Sequence, residues 1–274
     1  MLRSAIVATL AALSVVAVPP AFGDLQKDLR HTYAGKILSL RIPNNLDVLH
    51  FDANGESAHP SNGEPWTTCS LFRVKKIGVS FAQIVIEGGR QAVILSPDQV
   101  KKLLLVELDR PVHITIDRHS SVHTLADLNP LLGRIFLPGD LIARMSAAWR
   151  SEVDLNRDLA DISSDTPDGR IGVLAQNRPV YVVTALPTPP MAIYKPMPSF
   201  HGKARSKKAA GTFRVRMVVN EKGFPEILEV LQHLREGLDN RALAAVSQWR
   251  FKPALRESSP VAAMLIVDVK VRAE

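Results

Sequence analysis

Hydrophobic and polar positions alternate with a period of two along much of this chain, so strands are predicted before helices. In GKILSLRIP, Ile37, Ser39 and Arg41 alternate with Leu38, Leu40 and Ile42, the pattern of a half-buried strand. LDVLHFDANGES ends in Asn54-Gly55, a pair suited to a two-residue hairpin turn. LFRVKKIGVS follows, and then FAQIVIEGGRQAVIL, which Gly88-Gly89 interrupts. Short strands at a spacing of about ten residues predict a small barrel or sandwich. Residues 24–100 are therefore expected to form a β-rich domain, with strands over 31–95.

The period then changes. Ser96-Pro97-Asp98 reads as a helix start, and Val100, Leu103, Leu104 and Leu108 share a helical face. RPVHITID predicts a strand with Val112, Ile114 and Ile116 inward. PGDLIARMSAAWRSEVDLN predicts a helix with Leu141, Met145, Ala148 and Trp149 on one stripe. RPVYVVTAL returns to a strand, so 101–186 is a mixed α/β region, continuous with the β domain or separate from it. Pro187 to Pro190 then opens a proline-rich linker, 187–193.

Beyond the linker, TFRVRMVV sets Phe213, Val215, Met217 and Val219 against Arg214 and Arg216. Asn220 to Gly223 predicts a tight turn into FPEILEVLQH. Asp239 is placed to cap a helix, with Leu238 and Leu243 as a hydrophobic staple. On that helix Ala242, Ala245, Val246 and Trp249 share one face, with Asn240, Arg241, Ala244, Ser247 and Gln248 opposite. Trp249 and Phe251 are expected in the core, Arg250 and Lys252 in solvent, and Pro253 prevents the helix from resuming. MLIVDVKVR closes the chain as another alternating strand. The predicted fold class is α+β: a mainly β N-terminal domain with a mixed α/β continuation, then a small α+β domain with an antiparallel sheet over 194–274.

Charge and the N-terminal segment narrow the class. From Pro187 onward there are 15 Lys and Arg against 8 Asp and Glu, a net of +7, while residues 1–186 hold 19 of each. A separate basic C-terminal module with an acidic partner is one reading, and a solvated basic surface is the other. No nucleic-acid partner is expected. Residues 1–23 carry Arg3, an apolar run from Ala5 to Val18 and small residues at Ala21 and Gly23, which predicts a cleaved signal peptide. The run is shorter than the roughly 20 residues that span a bilayer. The expected destination is the periplasm, or the membrane if the segment stays uncleaved.

Candidate chemistry is sparse. Cys69 is the one cysteine, so no intramolecular disulfide forms, and it reads as a small buried side chain. Asp52-x-Asn54-Gly55 lacks the later ligands of a calcium loop and reads as a turn. His113, His119 and His123 with Asp117 have partial metal-ligand spacing but no helical apolar pattern, and are read as surface residues. No nucleophile elbow, phosphate loop or dinucleotide fingerprint occurs. Neither catalysis, a cofactor nor a metal is expected.

The C-terminal motifs carry a resemblance. Gly211 before the first strand, the Asn220-x-x-Gly223 turn, Leu238-Asp239-x-x-Ala242 and Trp249-Arg250-Phe251-x-Pro253-Ala254 together resemble the C-terminal domain of the TonB energy-transducer family. The likeness covers Tyr194 to about Val271, under a third of the chain. It implies a periplasmic domain that binds an extended segment of an outer-membrane transporter as an added strand, in energy-coupled transport. The edge expected to receive that strand is Phe224 to Val230, through Phe224, Glu226, Leu228 and Val230, with the final strand as second choice. Arg214, Arg216, Lys222 and Arg235 are expected to steer an acidic partner. Gly211, Gly223, Leu238, Asp239, Ala242, Trp249, Phe251 and Pro253 form the structural core of the motif. The chain lacks the family's long Pro/Lys-rich spacer, and Ser199-Phe200 stands where Tyr-Pro is usual. The alternative is a cell-envelope adaptor whose C-terminal domain dimerises or binds peptidoglycan.

Overall fold

A computed structural model describes residues 22–95, 103–137, 170–174, 178–199, 210–234 and 238–272. The helices are α1 (Phe22–Tyr33), α2 (Trp66–Cys69), α3 (Leu125–Ile135) and α4 (Asp239–Val246). The strands are β1 (Ile37–Ser39), β2 (Val48–Phe51), β3 (Leu71–Val79), β4 (Gln83–Leu95), β5 (Leu103–Asp117), β6 (Arg170–Leu174), β7 (Arg178–Val182), β8 (Met191–Tyr194), β9 (Ala210–Val219), β10 (Pro225–Gln232), β11 (Arg250–Lys252), β12 (Ala254–Arg256) and β13 (Ser259–Arg272). The architecture is α+β. One sheet runs in the order β1-β3-β4-β10-β9-β13-β7-β6, with β5 paired to β4, β2 beside β5 and β12 against β13.

The N-terminal strands form the first core. β3, β4 and β5 are antiparallel neighbours, and β2 adds to β5 in parallel. Their inward residues Val74, Ile77, Ile84, Ile86, Ile114 and Ile116 pack under Leu25 and Leu29 of α1 and Leu128, Leu132 and Ile135 of α3. Thr124 and Asp127 make a reciprocal capping box that starts α3. Gly88 is required where β4 meets β3, because a Cβ there would lie 2.5 Å from the Arg73 carbonyl oxygen. At Gly55 the chain turns with φ +84°, and the Gly55 N–H donates to Asp52 O. Asp52 accepts from the Asn54 and Glu56 amides, so it organises a turn.

The helix expected through Leu103, Leu104 and Leu108 is instead the first half of β5. Residues 103–107 pair with β4 from Gln91 to Leu95. A continuous apolar run fits a doubly covered strand as well as a helix, and the β-branched partner AVIL settles it. The stripe expected at 141–149 lies outside the described residues, as does the N-terminal apolar run. Three helices were not anticipated: α1, where Leu25 and Leu29 recur at helical spacing, the short α2, and α3, whose Thr124-x-x-Asp127 signal is offset by Pro130 inside the helix.

The second core forms where the far end of the β4–β5 hairpin reaches the C-terminal strands. Ala92, Ile94 and Leu108 join Phe213, Val215, Met217, Val230, Val269 and Val271 around α4 and Trp249. The curled sheet thus wraps the helix. α4 packs closely on β5, and part of the side opposite its predicted inner face is also buried: Ala244 is 4% and Ser247 1% exposed, while Asn240 is exposed. Arg241 of this flank pairs with Asp109 at 2.9 Å, and Arg110 reaches Ser247 Oγ at 3.5 Å. Asp239 does not cap α4. Its carboxylate turns back to accept the Leu234 amide and to meet His233 Nδ1, each at 2.7 Å.

The proline-rich stretch is part of the fold, which corrects its reading as a linker. Thr188 bridges to Leu255, and β8 pairs antiparallel with β11. β7, from the region before it, pairs with β13. The boundary drawn at 187 therefore crosses hydrogen-bonded strands.

Three outcomes follow from this packing. Trp249→Ala should cost about 3–5 kcal/mol, the range for truncating a buried aromatic, measured by denaturant unfolding. Ala244→Glu should cost about 3 kcal/mol by burying an uncompensated charge. Asp109→Asn, which removes only an exposed ion-pair partner, should stay within about 1 kcal/mol.

Candidate functional site

The motif residues of the C-terminal domain interlock. Asn220 Oδ1 accepts the amides of Lys222 and Phe224, and the Gly223 N–H donates to Asn220 O, which closes the turn between β9 and β10. Gly223 has φ +82°, and a Cβ there would fall 1.9 Å from the Phe251 carbonyl oxygen. Its own carbonyl accepts the Phe251 N–H. The turn is thus pinned to the segment after Trp249, and only glycine fits. Gly211 faces Leu234, whose Cδ2 would lie 3.1 Å from an added Cβ.

The helix predicted to run to Trp249 ends at Val246, and Trp249 lies three residues beyond it. Trp249 is 1% exposed, its Nε1 donates to Pro196 O at 3.1 Å, and the Lys195 ammonium stands 4.6 Å from the ring centroid. It therefore fastens α4 to the segment that follows β8. Phe251 packs beside it, tilted by 56°. Arg250 is only half-buried, with its guanidinium 4.3 Å above the Phe224 ring. Leu238 and Ala242 are buried in the same core, and Pro253 separates β11 from β12.

The expected edge over Phe224 to Val230 is not open. Thr67 Oγ1 of α2 donates to Glu226 O, Thr68 Oγ1 donates to Pro225 O at 3.5 Å, and Glu229 bridges in parallel to Leu95 of β4. α2 is held there by Arg90, which donates to Cys69 O and Leu46 O. Burial pulls the Arg90 pKa down to about 10, which leaves it charged at neutral pH. The side chains of Phe224 (7% exposed), Glu226 (8%) and Val230 (2%) point into the protein. Leu228 pairs with Met217 along β9. The Glu226 carboxyl is pushed up by burial and partly countered by Arg178 at 3.1 Å. A module absent from the resemblance has covered this margin.

The basic residues are also engaged. Arg214 grips Asp268 with two hydrogen bonds, 2.6 and 2.9 Å, and Arg216 meets Glu229 at 3.0 Å. Lys222 is exposed and lies along Gly63, while Arg235 falls outside the described residues. The charge of the two arginines is therefore spent in cross-strand pairs.

The other margin differs. β13 pairs with β9 from Ala263 to Arg272, but its far side meets β7 only at Ala262, Ala263 and Met264. Among the described residues no strand pairs with that side over Leu265–Arg272. Leu265 and Val267 are half-buried at the rim of the core, and Ile266 is 53% exposed. Ile266 and Asp268 also line a shallow depression with Arg214, Leu231 and Gln232. The alternation of MLIVDVKVR locates this strand in the sequence, and only the sheet order exposes its edge.

Elsewhere, His50 Nε2 lies 2.9 Å from Asp117. No group of three or more His, Cys, Asp or Glu is placed to hold a metal among the described residues. Cys69 is buried, and burial pushes its thiol pKa up, away from the reactive thiolate. No helix among the described residues is long and apolar enough to cross a membrane.

Comparisons with known proteins bear on the C-terminal part. Residues 196–271 match the family model described as Gram-negative bacterial TonB protein C-terminal. A solution NMR structure of the Pseudomonas aeruginosa TonB C-terminal domain is similar at 20% identity, covering 30% of this chain and 86% of that one, with a TM-score of 0.25. No curated protein sequence matches the chain. With the turn, helix and tryptophan of the motif in place, residues 196–271 of this chain are a TonB C-terminal domain.

Proposed function

We propose that this is a periplasmic TonB-like protein that takes up an extended segment of an outer-membrane transporter, or of another periplasmic protein, as a strand added along Leu265–Arg272. The side of β13 that no strand pairs with among the described residues carries the reading. Backbone N–H and C=O groups on such a margin are satisfied by a guest main chain with few demands on its sequence. Leu265 and Val267, half-covered at the rim, supply the apolar surface that guest side chains would close over. Eight residues of strand span about 26 Å, the length of guest that this stretch by itself accommodates. Exposed Lys222 and Lys270 favour an acidic guest. The activity is binding rather than catalysis. Coupling to an inner-membrane energy source is a further step that this margin alone does not supply.

A second reading, a cell-envelope adaptor that dimerises or binds peptidoglycan, draws support from the core shared between the N-terminal strands and α4. Sedimentation of the full chain with and without peptidoglycan tests it.

For the first reading, the full chain is titrated with synthetic peptides copying periplasmic segments of outer-membrane transporters. Binding should slow amide exchange over Leu265–Arg272. Ile266→Asp should weaken it at least about tenfold while changing stability by no more than about 0.5 kcal/mol. Peptides that neither bind nor protect those amides would remove the transporter as partner.

A further inference from the structure

The margin that would receive a guest already carries a strand of this chain. β7 runs parallel to β13, and Val180, Tyr181 and Val182 pair with Ala262, Ala263 and Met264 on the side away from β9. Among the described residues, β6 is the strand on the outer side of β7. The hairpin β6–β7 is thus joined to the C-terminal sheet by a ladder of three residue pairs. Its other attachments are made by side chains. Tyr181 packs with Leu186, Ala254 and Ala263, and the Arg256 guanidinium lies 4.9 Å from its ring centroid. Arg178 meets Glu221 at 2.7 Å and Glu226 at 3.1 Å. After Val182 the chain leaves the margin in a 3-10 turn, Val183–Ala185, and so the open stretch begins at Leu265.

Resting on the reading of β13 as the accepting strand, we infer that β7 is a guest supplied in cis. It holds Ala262–Met264 as an added strand, and an external strand competes with it there. The resident strand also reports what the margin accepts: an extended segment parallel to β13, with one aromatic residue set over Ala254 and Ala263 and beneath Arg256, flanked by β-branched residues. Tethering gives β7 a high effective concentration, so an equivalent short peptide in trans loses to it. A longer guest wins by pairing along Leu265–Arg272, which β7 never reaches. Occupancy by β7 therefore raises the length a partner segment needs, and this sets specificity against short extended peptides.

The probe is a labelled peptide with the resident sequence RPVYVVTA, residues 178–185, titrated into the full chain. Wild-type protein should bind it weakly. Val180→Asp, which expels β7 from the sheet, should bind it at least tenfold more tightly. Exchange should be fast in that variant, and slow again with peptide, at those amides of Ala262–Met264 that point away from β9. If Val180→Asp does not fold, the double variant Arg178→Ala/Arg256→Ala loosens the hairpin from its surface and is read by the same two measurements. A folded release variant with wild-type affinity for the peptide, or with the β7-facing amides of Ala262–Met264 still protected in its absence, overturns the inference. Resident peptide binding the release variant while transporter peptides bind neither form upholds the cis guest and removes the transporter. The reverse pattern keeps the transporter at Leu265–Arg272 and removes the cis guest.

Discussion

A helix of eight residues rich in alanine has almost no stability of its own, yet α4 sits at the centre of the C-terminal half. It persists because it is wrapped. β9, β10 and β13 wall it on one side, and the far end of the β4–β5 hairpin reaches it on the other. Alanine at 242, 244 and 245 lets strand backbones approach closely, and Trp249 fills the space where the helix ends. The indole contributes about 2–3 kcal/mol by area alone. Its bond to Pro196 ties the helix to the strand pair β8–β11. Without that burial neither the turn at Asn220–Gly223 nor the strand order around it has anything to rest on.

The same wrapping decides which sheet margin is accessible. To reach α4, the hairpin β4–β5 must pass the outer side of β10, and with α2 it covers that side. The edge a bare C-terminal domain would offer first is thereby withdrawn. Arg90, charged and buried, is the device that keeps α2 in place. Its two carbonyl partners are satisfied at the cost of desolvating a guanidinium, and that makes it a positional lock rather than a source of net stability. Among the described residues, the C-terminal part of β13 has no strand on its far side, with β7 seated just before it.

The distribution of charge has a parallel history. A net of +7 in the last third of the chain invites a steering role for Arg214 and Arg216. In the folded sheet both are set opposite carboxylates, Asp268 and Glu229, one strand away. Such pairs hold register across β10, β9 and β13. Net charge by itself says nothing about which cations have been neutralised.

Local chemistry was legible from residue order. The Asn220–Gly223 turn needs an amide side chain and a residue with positive φ. The alternation of β9 and β13 needs only a period of two, and the buried face of α4 only a period of 3.6. Each is set within a few residues, so each could be read from the sequence, as could the family likeness of 196–271. Other features depend on which segments meet in the folded chain. The run LLLVEL is a strand because AVIL lies beside it. Asp239 bonds backward because Leu234 and His233 present themselves there. Ala244 and Ser247 are buried because β5 arrives from more than a hundred residues away. Which edge stays unpaired is of this second kind, since an edge is defined by the absence of a neighbour, and a neighbour is assigned only when the whole sheet closes.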